Sequence, residues 1–173
     1  MRPATKALLA AVTLATAGLA NADYTVRMTT IDPRGQMTPI GDVKISADGT
    51  GVKLVTNLKG LPPGAHGFHV HQKASCDPAE KDNKMEPGEG AGPHYDPKKT
   101  ARHLGPNGSG HLGDLPVLIV DATGASTQTL AAPRLSLAEL KGHSLMIHAG
   151  GDNLTDKPAN GGGGKRIACG IIL

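Results

Sequence analysis

Three histidines fall within the seven-residue stretch HGFHVHQ, residues 66–72, although the chain has only eight histidines in 173 residues. On a β-strand, residues i and i+2 project from the same face, so His69 and His71 would point together, away from Phe68 and Val70. Burying an imidazole without a partner costs free energy. The pair therefore requires hydrogen bonds or a metal, unless both rings lie on an ordinary polar surface.

A second group of potential ligands follows at short intervals, and it consists of His94, His103, His111 and Asp114. Three imidazoles and one carboxylate are ligand types that hold tetrahedral zinc. A further histidine, His148, ends the apolar run SLMIHA (144–149), much as His71 ends its own run. Chance is a poor explanation for all of these features together, so the sequence predicts a metal centre.

The elements that must position these residues are short strands. The chain has no tryptophan, one phenylalanine and two tyrosines, so its core must be aliphatic, while 24 glycines and 13 prolines interrupt it often. Alternating or apolar runs predict eight strands, at 24–29, 43–46, 51–58, 65–71, 115–121, 125–132, 144–149 and 165–172. Only SLAELKG, 136–142, is typical of a helix. This pattern favours an antiparallel sandwich or barrel.

Two long segments, 72–113 and 150–164, are rich in glycine, proline and charge and have no regular period. Loops of this length in a compact domain are usually functional or disordered. The first carries His94, His103 and His111, which favours a functional loop.

The first 22 residues predict a secretory signal peptide. Arg2 and Lys6 precede a short apolar stretch, and Ala20-Asn21-Ala22 fits the small-residue cleavage pattern. The alternative is an amphipathic N-terminal helix. Cleavage would leave 23–173, or 151 residues, as one domain with 16 basic and 15 acidic residues, a net charge of +1. A nucleic-acid binder is not indicated, and no membrane insertion is expected after the signal is removed.

The only two cysteines are Cys76 and Cys169, and neither belongs to a CxxC motif. In an exported protein an even count favours a disulfide. Two free buried thiols are the alternative.

Five motifs together resemble the copper/zinc superoxide dismutases, most closely their exported bacterial branch: HGFHVH (66–71), GPHYDP (92–97), GHLGDLP (110–116), MIHAGGDN (146–153) and GGGGKRIACGII (161–172). The resemblance covers essentially the whole of 23–173. It implies an all-β fold, an eight-stranded antiparallel Greek-key β-barrel with two long loops over the metal site. It also implies a periplasmic location.

The resemblance implies one copper and one zinc per subunit. Copper would be held by His69, His71, His94 and His148, and zinc by His94, His103, His111 and Asp114. His94 would bridge the two metals. His66 and His143 would then be ordinary structural or surface residues.

The resemblance assigns roles to further residues. Asp152 would link a copper ligand to a zinc ligand by hydrogen bonds, and Cys76–Cys169 would be the family disulfide. Arg166 would lie beside the open copper position, and Lys157 and Lys165 are the basic residues nearest to it in sequence.

The implied reaction is the dismutation of superoxide anion to dioxygen and hydrogen peroxide by alternating reduction and oxidation of copper. Arg166 would attract the anion and His94 would supply a proton.

The protein would be a monomer or a homodimer. The alternative is a non-enzymatic copper/zinc-binding or metal-buffering protein of the cell envelope. A zinc hydrolase is disfavoured because its zinc needs an open ligand position, and the zinc set here is complete.

Overall fold

The computed structural model describes residues 23–173. The predicted signal peptide lies outside the described residues. Within them the chain forms eleven β-strands, which are β1 Tyr24–Ile31, β2 Met37–Asp48, β3 Gly51–Leu58, β4 Gly64–His66, β5 Phe68–His71, β6 Ala79–Lys81, β7 Lys84–Glu86, β8 Leu118–Val120, β9 Thr129–Ala132, β10 Ser144–His148 and β11 Arg166–Ile171. Three single 3-10 turns complete the regular structure, at Glu89–Ala91, Leu137–Glu139 and Ala159–Gly162.

Seven strands form one antiparallel sheet in the order β5-β10-β11-β1-β2-β3-β9. A second pair, β4-β8, continues the line of β5, because the bridge between His69 and Asp114 extends the same antiparallel pairing. The sheet curls around one core, and the non-sequential strand order produces the predicted Greek-key connections.

The core is aliphatic, as the composition predicts. Along β3, Val52, Leu54 and Leu58 are buried, while Lys53 and Asn57 are exposed, which is the period of two expected for a half-buried strand. All five residues of β10 are buried. Leu145 and Ile147 face the main core, whereas Met146 packs against the disulfide on the other face.

The strand prediction is close in position but differs in number. Each of the eight predicted runs overlaps at least one strand. The run 65–71 is divided at Gly67, which exchanges backbone hydrogen bonds with Gly150 and His148 instead of continuing the ladder. The hairpin β6-β7 lies inside the first long loop, where no strand was predicted.

The helix predicted at 136–142 is wrong. Only Leu137–Glu139 forms a 3-10 turn, closed by a capping box in which the backbone N–H of Ser136 donates to Glu139 at 3.0 Å. Gly142 follows with a positive φ of 88°. The segment is too short to repay helix nucleation, and its leucines serve as core residues instead.

The predicted disulfide is present. Cys76 and Cys169 are bonded, with their Cα atoms 5.7 Å apart, and the bond ties the first long loop to β11. None of the described helices is long and apolar enough to cross a membrane.

Candidate metal centre

Four histidines from three parts of the chain converge at one edge of the sheet. His69 and His71 lie on β5, His148 ends the neighbouring strand β10, and His94 comes from the first long loop. A bridge between His71 and His94 attaches that loop to β5. One ligand atom from each of the four residues lies within 4.8 Å of the others, and all four side chains are buried.

Each ring has one nitrogen engaged on its outer side. Nδ1 of His71 approaches the carbonyl oxygen of Gly92 at 2.8 Å, and Nδ1 of His148 approaches that of Gly164 at 3.1 Å. Nε2 of His69 lies 2.7 Å from Asp152 Oδ2. Carbonyl and carboxylate oxygens only accept hydrogen bonds, so the ring nitrogen must donate in each pair. The opposite nitrogen then keeps its lone pair.

Those opposite nitrogens provide the test of whether a metal fits. Nδ1 of His69 and Nε2 of His71 and of His148 are buried and have no hydrogen-bond partner among residues 23–173. An unsatisfied buried polar atom is costly. Three of them facing one point, with the hydrogens fixed on the far sides of the rings, fit a metal that prefers imidazole ligands, such as copper.

The second group surrounds Asp114. Oδ1 of Asp114 lies 3.2 Å from Nδ1 of His94, 3.0 Å from Nδ1 of His103 and 3.3 Å from Nδ1 of His111. A tetrahedron with ligand bonds of about 2.0–2.1 Å has edges of about 3.3 Å. The donor set therefore fits a tetrahedral zinc ion. His94 belongs to both groups, because its Nδ1 faces Asp114 and its Nε2 remains for the first group.

Asp152 joins the two groups from outside. Its Oδ2 accepts from Nε2 of His69 at 2.7 Å and its Oδ1 accepts from Nε2 of His103 at 2.8 Å. The carboxylate is held in turn by the backbone N–H of Leu154, which donates to Oδ1 at 2.7 Å. One aspartate thus fixes the ring orientation of a residue in each group.

Burial keeps the first group neutral. It lowers the pKa of His69 and of His71 well below 6.5 and lowers the pKa of His148 to about 4. Burial also lowers the pKa of His94, although Asp114 partly opposes the shift. Neutral imidazole is the form that binds metals, so these rings are ready as ligands at neutral pH.

The second group is electrostatically different. Burial acts to lower the pKa of His103, but hydrogen bonds with Asp114 and Asp152 outweigh it and raise the pKa to about 9. The same bonds outweigh burial at both carboxyl groups and hold their pKa values below the usual range. A metal ion on Nδ1 of His103 must therefore displace a proton.

Arg166 lies at the opening of the first group. Its Nη1 donates to the Gly88 carbonyl at 2.6 Å and its Nη2 to the Gly92 carbonyl at 2.9 Å. The Gly92 oxygen is the one that also accepts from His71. Burial lowers the pKa of Arg166 from its ordinary value, and Glu89 opposes that shift. The guanidinium is therefore a fixed positive charge beside the histidines.

A cavity of about 210 Å³, called the inner cavity below, opens onto this arginine. Its walls include Arg166, His94 and His148, together with Lys81 and Glu89. An outer cavity of about 440 Å³ shares Lys81, Glu89 and Arg166 with it and extends along the β6-β7 hairpin. The route from solvent to the histidines therefore passes charged residues of both signs.

The structure brings together every residue that the sequence predicted for the two metal groups, and it places Asp152 and Arg166 beside them. His66 and His143 lie outside both groups and contact backbone carbonyls, those of Pro62 and His148 for His66 and that of Gln72 for His143.

The two basic residues nearest to Arg166 in sequence differ in their relation to the cavities. Lys165 lines the outer cavity, and Lys157 lines neither cavity. Sequence reasoning missed Lys81 and Glu89. A usable signal was their position: both lie in the loop that Cys76 ties to the strand carrying Arg166.

The sequence model for copper/zinc superoxide dismutase (SODC) matches residues 40–172. The chain belongs to the copper/zinc superoxide dismutase family. Its similarity to superoxide dismutase [Cu-Zn] 2 of Salmonella typhimurium is 51% identity over 167 residues, or 95% of this chain and 96% of that one. The Escherichia coli K12 superoxide dismutase [Cu-Zn] is 49% identical over 157 residues, covering 90% and 91%.

A solved structure of the Cu/Zn superoxide dismutase from Brucella abortus superposes with a TM-score of 0.86 at 50% identity, covering 88% of this chain and all of that one. The family confirms the predicted β-barrel fold, the enzyme class and the two cofactors, copper and zinc. The non-enzymatic metal-buffering alternative is not favoured.

Proposed function

We propose that copper is held by His69, His71, His94 and His148, and zinc by His94, His103, His111 and Asp114. The observation that carries this proposal is the set of buried nitrogens without partners, each on a ring whose other nitrogen donates outward. Such a ring can neither rotate nor exchange tautomers without losing its outer hydrogen bond. The protein therefore holds its ligand atoms in place before a metal arrives.

Arg166 binds the substrate. Superoxide is a small anion, and the chain after residue 22 carries a net charge of only +1, so attraction depends on a local field. The guanidinium lines the 210 Å³ cavity and is fixed by two carbonyls. It can hold an anion next to the histidines without moving.

The reaction converts two superoxide anions and two protons to one dioxygen and one hydrogen peroxide, so one electron passes from the first anion to the second. Copper held there would supply the one-electron couple that accepts and returns this electron, and zinc, which has no redox change, would serve only to fix the shared residue His94. His94 lines the cavity, and whenever its Nε2 is not bound to copper that nitrogen can hold a proton and give it to the product. The second proton comes from solvent.

The test is to measure copper content, zinc content and superoxide consumption on one purified sample, and to repeat all three with His94→Ala and His103→Ala. We expect His94→Ala to abolish sustained turnover. We expect His103→Ala to lose zinc and to retain copper in a more pH-sensitive site. Wild-type turnover in His94→Ala with both metals bound would contradict the bridging role, and two bound metals without turnover in the wild type would favour metal buffering.

The protein is located in the periplasm, and it is a monomer. The predicted signal peptide and the Cys76–Cys169 disulfide support export, because disulfides persist in oxidising compartments. A solution structure described as the monomeric copper, zinc superoxide dismutase from Salmonella enterica, 50% identical with a TM-score of 0.78, supports the monomer. Cell fractionation and light scattering test both points, and a homodimer in solution would overturn the second.

A further inference from the structure

The opening of the candidate copper site contains a carboxylate as well as two cations. Glu89 Oε2 lies 3.4 Å from Nη2 of Arg166, and Glu89 Oε1 lies 3.2 Å from Nζ of Lys81. Among the described residues, Glu89 is the one carboxylate in the wall of the inner cavity, where Arg166 and Lys81 are the two permanent cations. Its side chain is 19% exposed. The negative charge therefore lies where an approaching anion must pass.

Neither contact is needed to hold its cation in place. Arg166 is already fixed by the carbonyls of Gly88 and Gly92, at 2.6 and 2.9 Å, which are shorter than its contact with Glu89. Lys81 is 55% exposed, and an exposed pair of this kind contributes little stability. The main physical consequence of Glu89 is its charge, which cancels one of the two positive charges that the opening presents.

We propose that Glu89 is a specificity-determining residue, which limits the attraction of the site for anions so that monovalent superoxide is admitted while multivalent anions are disfavoured. Electrostatic attraction is proportional to the charge of the ligand. A unit charge roughly 6 Å away in a water-like dielectric changes the affinity of a monoanion about threefold and that of a dianion about tenfold. Removing one negative charge therefore favours dianions most.

The test uses Glu89→Gln, which keeps the shape of the side chain and its hydrogen bond to Lys81. Two quantities are measured on the fully metallated protein at matched copper and zinc content. The first is the rate constant for superoxide consumption as a function of ionic strength. The second is the Kd for inorganic sulfate, from the NMR shifts of the backbone N–H resonances of Asn160 and Gly164, which line the inner cavity and are present in every variant. These shifts are measured in the reduced holoenzyme, where copper is diamagnetic.

For Glu89→Gln we expect the superoxide rate constant to rise about threefold at low salt, with a steeper fall as salt is added. Sulfate should bind about tenfold more tightly. The matched control is Asp48→Asn, which removes the same charge at the exposed end of β2, a position that lines neither cavity. It should leave both quantities unchanged. Lys81→Gln should shift both in the opposite direction.

A rate that is unchanged or slower in Glu89→Gln would overturn the inference, and so would equal shifts in Asp48→Asn. The inference rests on the proposed role of Arg166, and Arg166→Ser separates the two failures. If Arg166→Ser does not weaken sulfate binding, the proposed anion site is wrong. If Arg166→Ser weakens it and Glu89→Gln has no effect, only the role of Glu89 is wrong.

Discussion

Asp152 accepts a hydrogen bond from Nε2 of His69 at 2.7 Å, on the side of the ring opposite the buried Nδ1 that has no partner. This one contact fixes both the tautomer and the orientation of the ring. Because the other oxygen of the same carboxylate accepts from His103, the two metal groups share one support.

We expect Asp152→Ala to reduce zinc affinity about 10- to 100-fold, because the ring of His103, which belongs to the proposed zinc group, loses the acceptor that orients it. Zinc affinity is measured by competition with a chelator. Asp156→Ala is the control, since Asp156 also contacts His103 but does not touch its ring: the backbone N–H of His103 donates to Asp156 Oδ1 at 2.6 Å. Its effect should be clearly smaller, and equal losses in the two variants would show that ring orientation is not the cause.

Gly161→Ala should reproduce the loss of zinc affinity without altering any ligand. A Cβ at this position would lie 2.6 Å from Cγ of Asp152 and 2.8 Å from Nε2 of His103, so the carboxylate must move. Gly60→Ala is the matched control, because Gly60 has a similar positive φ of 77° and no atom within 4 Å of the added Cβ. If both variants bind zinc equally well, the Asp152 carboxylate can be displaced without loss of zinc affinity, and the prediction is wrong.

Reduction of the disulfide should lower the free energy of unfolding by about 2–4 kcal/mol, because the unfolded chain regains the freedom of a 93-residue loop. Activity should fall before the barrel melts, since the released loop carries Gly88 and Gly92, which hold Arg166. Thermal melting and activity are compared with and without reductant. Two titratable thiols in the native protein would contradict this prediction.

Arg166→Ser should slow superoxide consumption by about tenfold and leave both metals bound, because the local positive charge is lost. Arg166→Glu should be slower still, and both variants should depend less steeply on salt. The control is Lys53→Gln, an equal loss of charge on the exposed face of β3. Equal rates in wild type and Arg166→Glu at low salt would remove Arg166 from the mechanism.

The sequence predicts which side chains the structure brings together in the two groups, because histidine and aspartate are chemically distinctive and recur at strand ends and loop positions. The barrel follows from the alternating runs and the family motifs. The helix expected at 136–142 fails because its leucines are spaced to fill a core, and this spacing fits a 3-10 turn as well as a helix.

What the sequence could not predict is how the rings and the arginine are held. His71, His148 and Arg166 all donate to carbonyls of glycines, and any residue has a carbonyl. Sequence proximity to Arg166 also does not indicate which lysines line the inner cavity, because Lys81 of the β6-β7 hairpin lines it whereas Lys157 does not. Both kinds of information exist only once the loops are folded.

The carbonyl oxygen of Gly92 accepts from Nδ1 of His71 at 2.8 Å and from Nη2 of Arg166 at 2.9 Å, so both of its lone pairs are used. The guanidinium proposed to receive the anion and the imidazole proposed as a copper ligand therefore polarise the same C=O bond. An anion docked against the guanidinium weakens the hydrogen bond that Arg166 donates to this oxygen. The oxygen then has more electron density available for its hydrogen bond with the imidazole of His71. The stretching vibration of a carbon-13-labelled Gly92 carbonyl is thus an infrared reporter of both hydrogen bonds. Its frequency shifts when an anion docks, even if no atom moves.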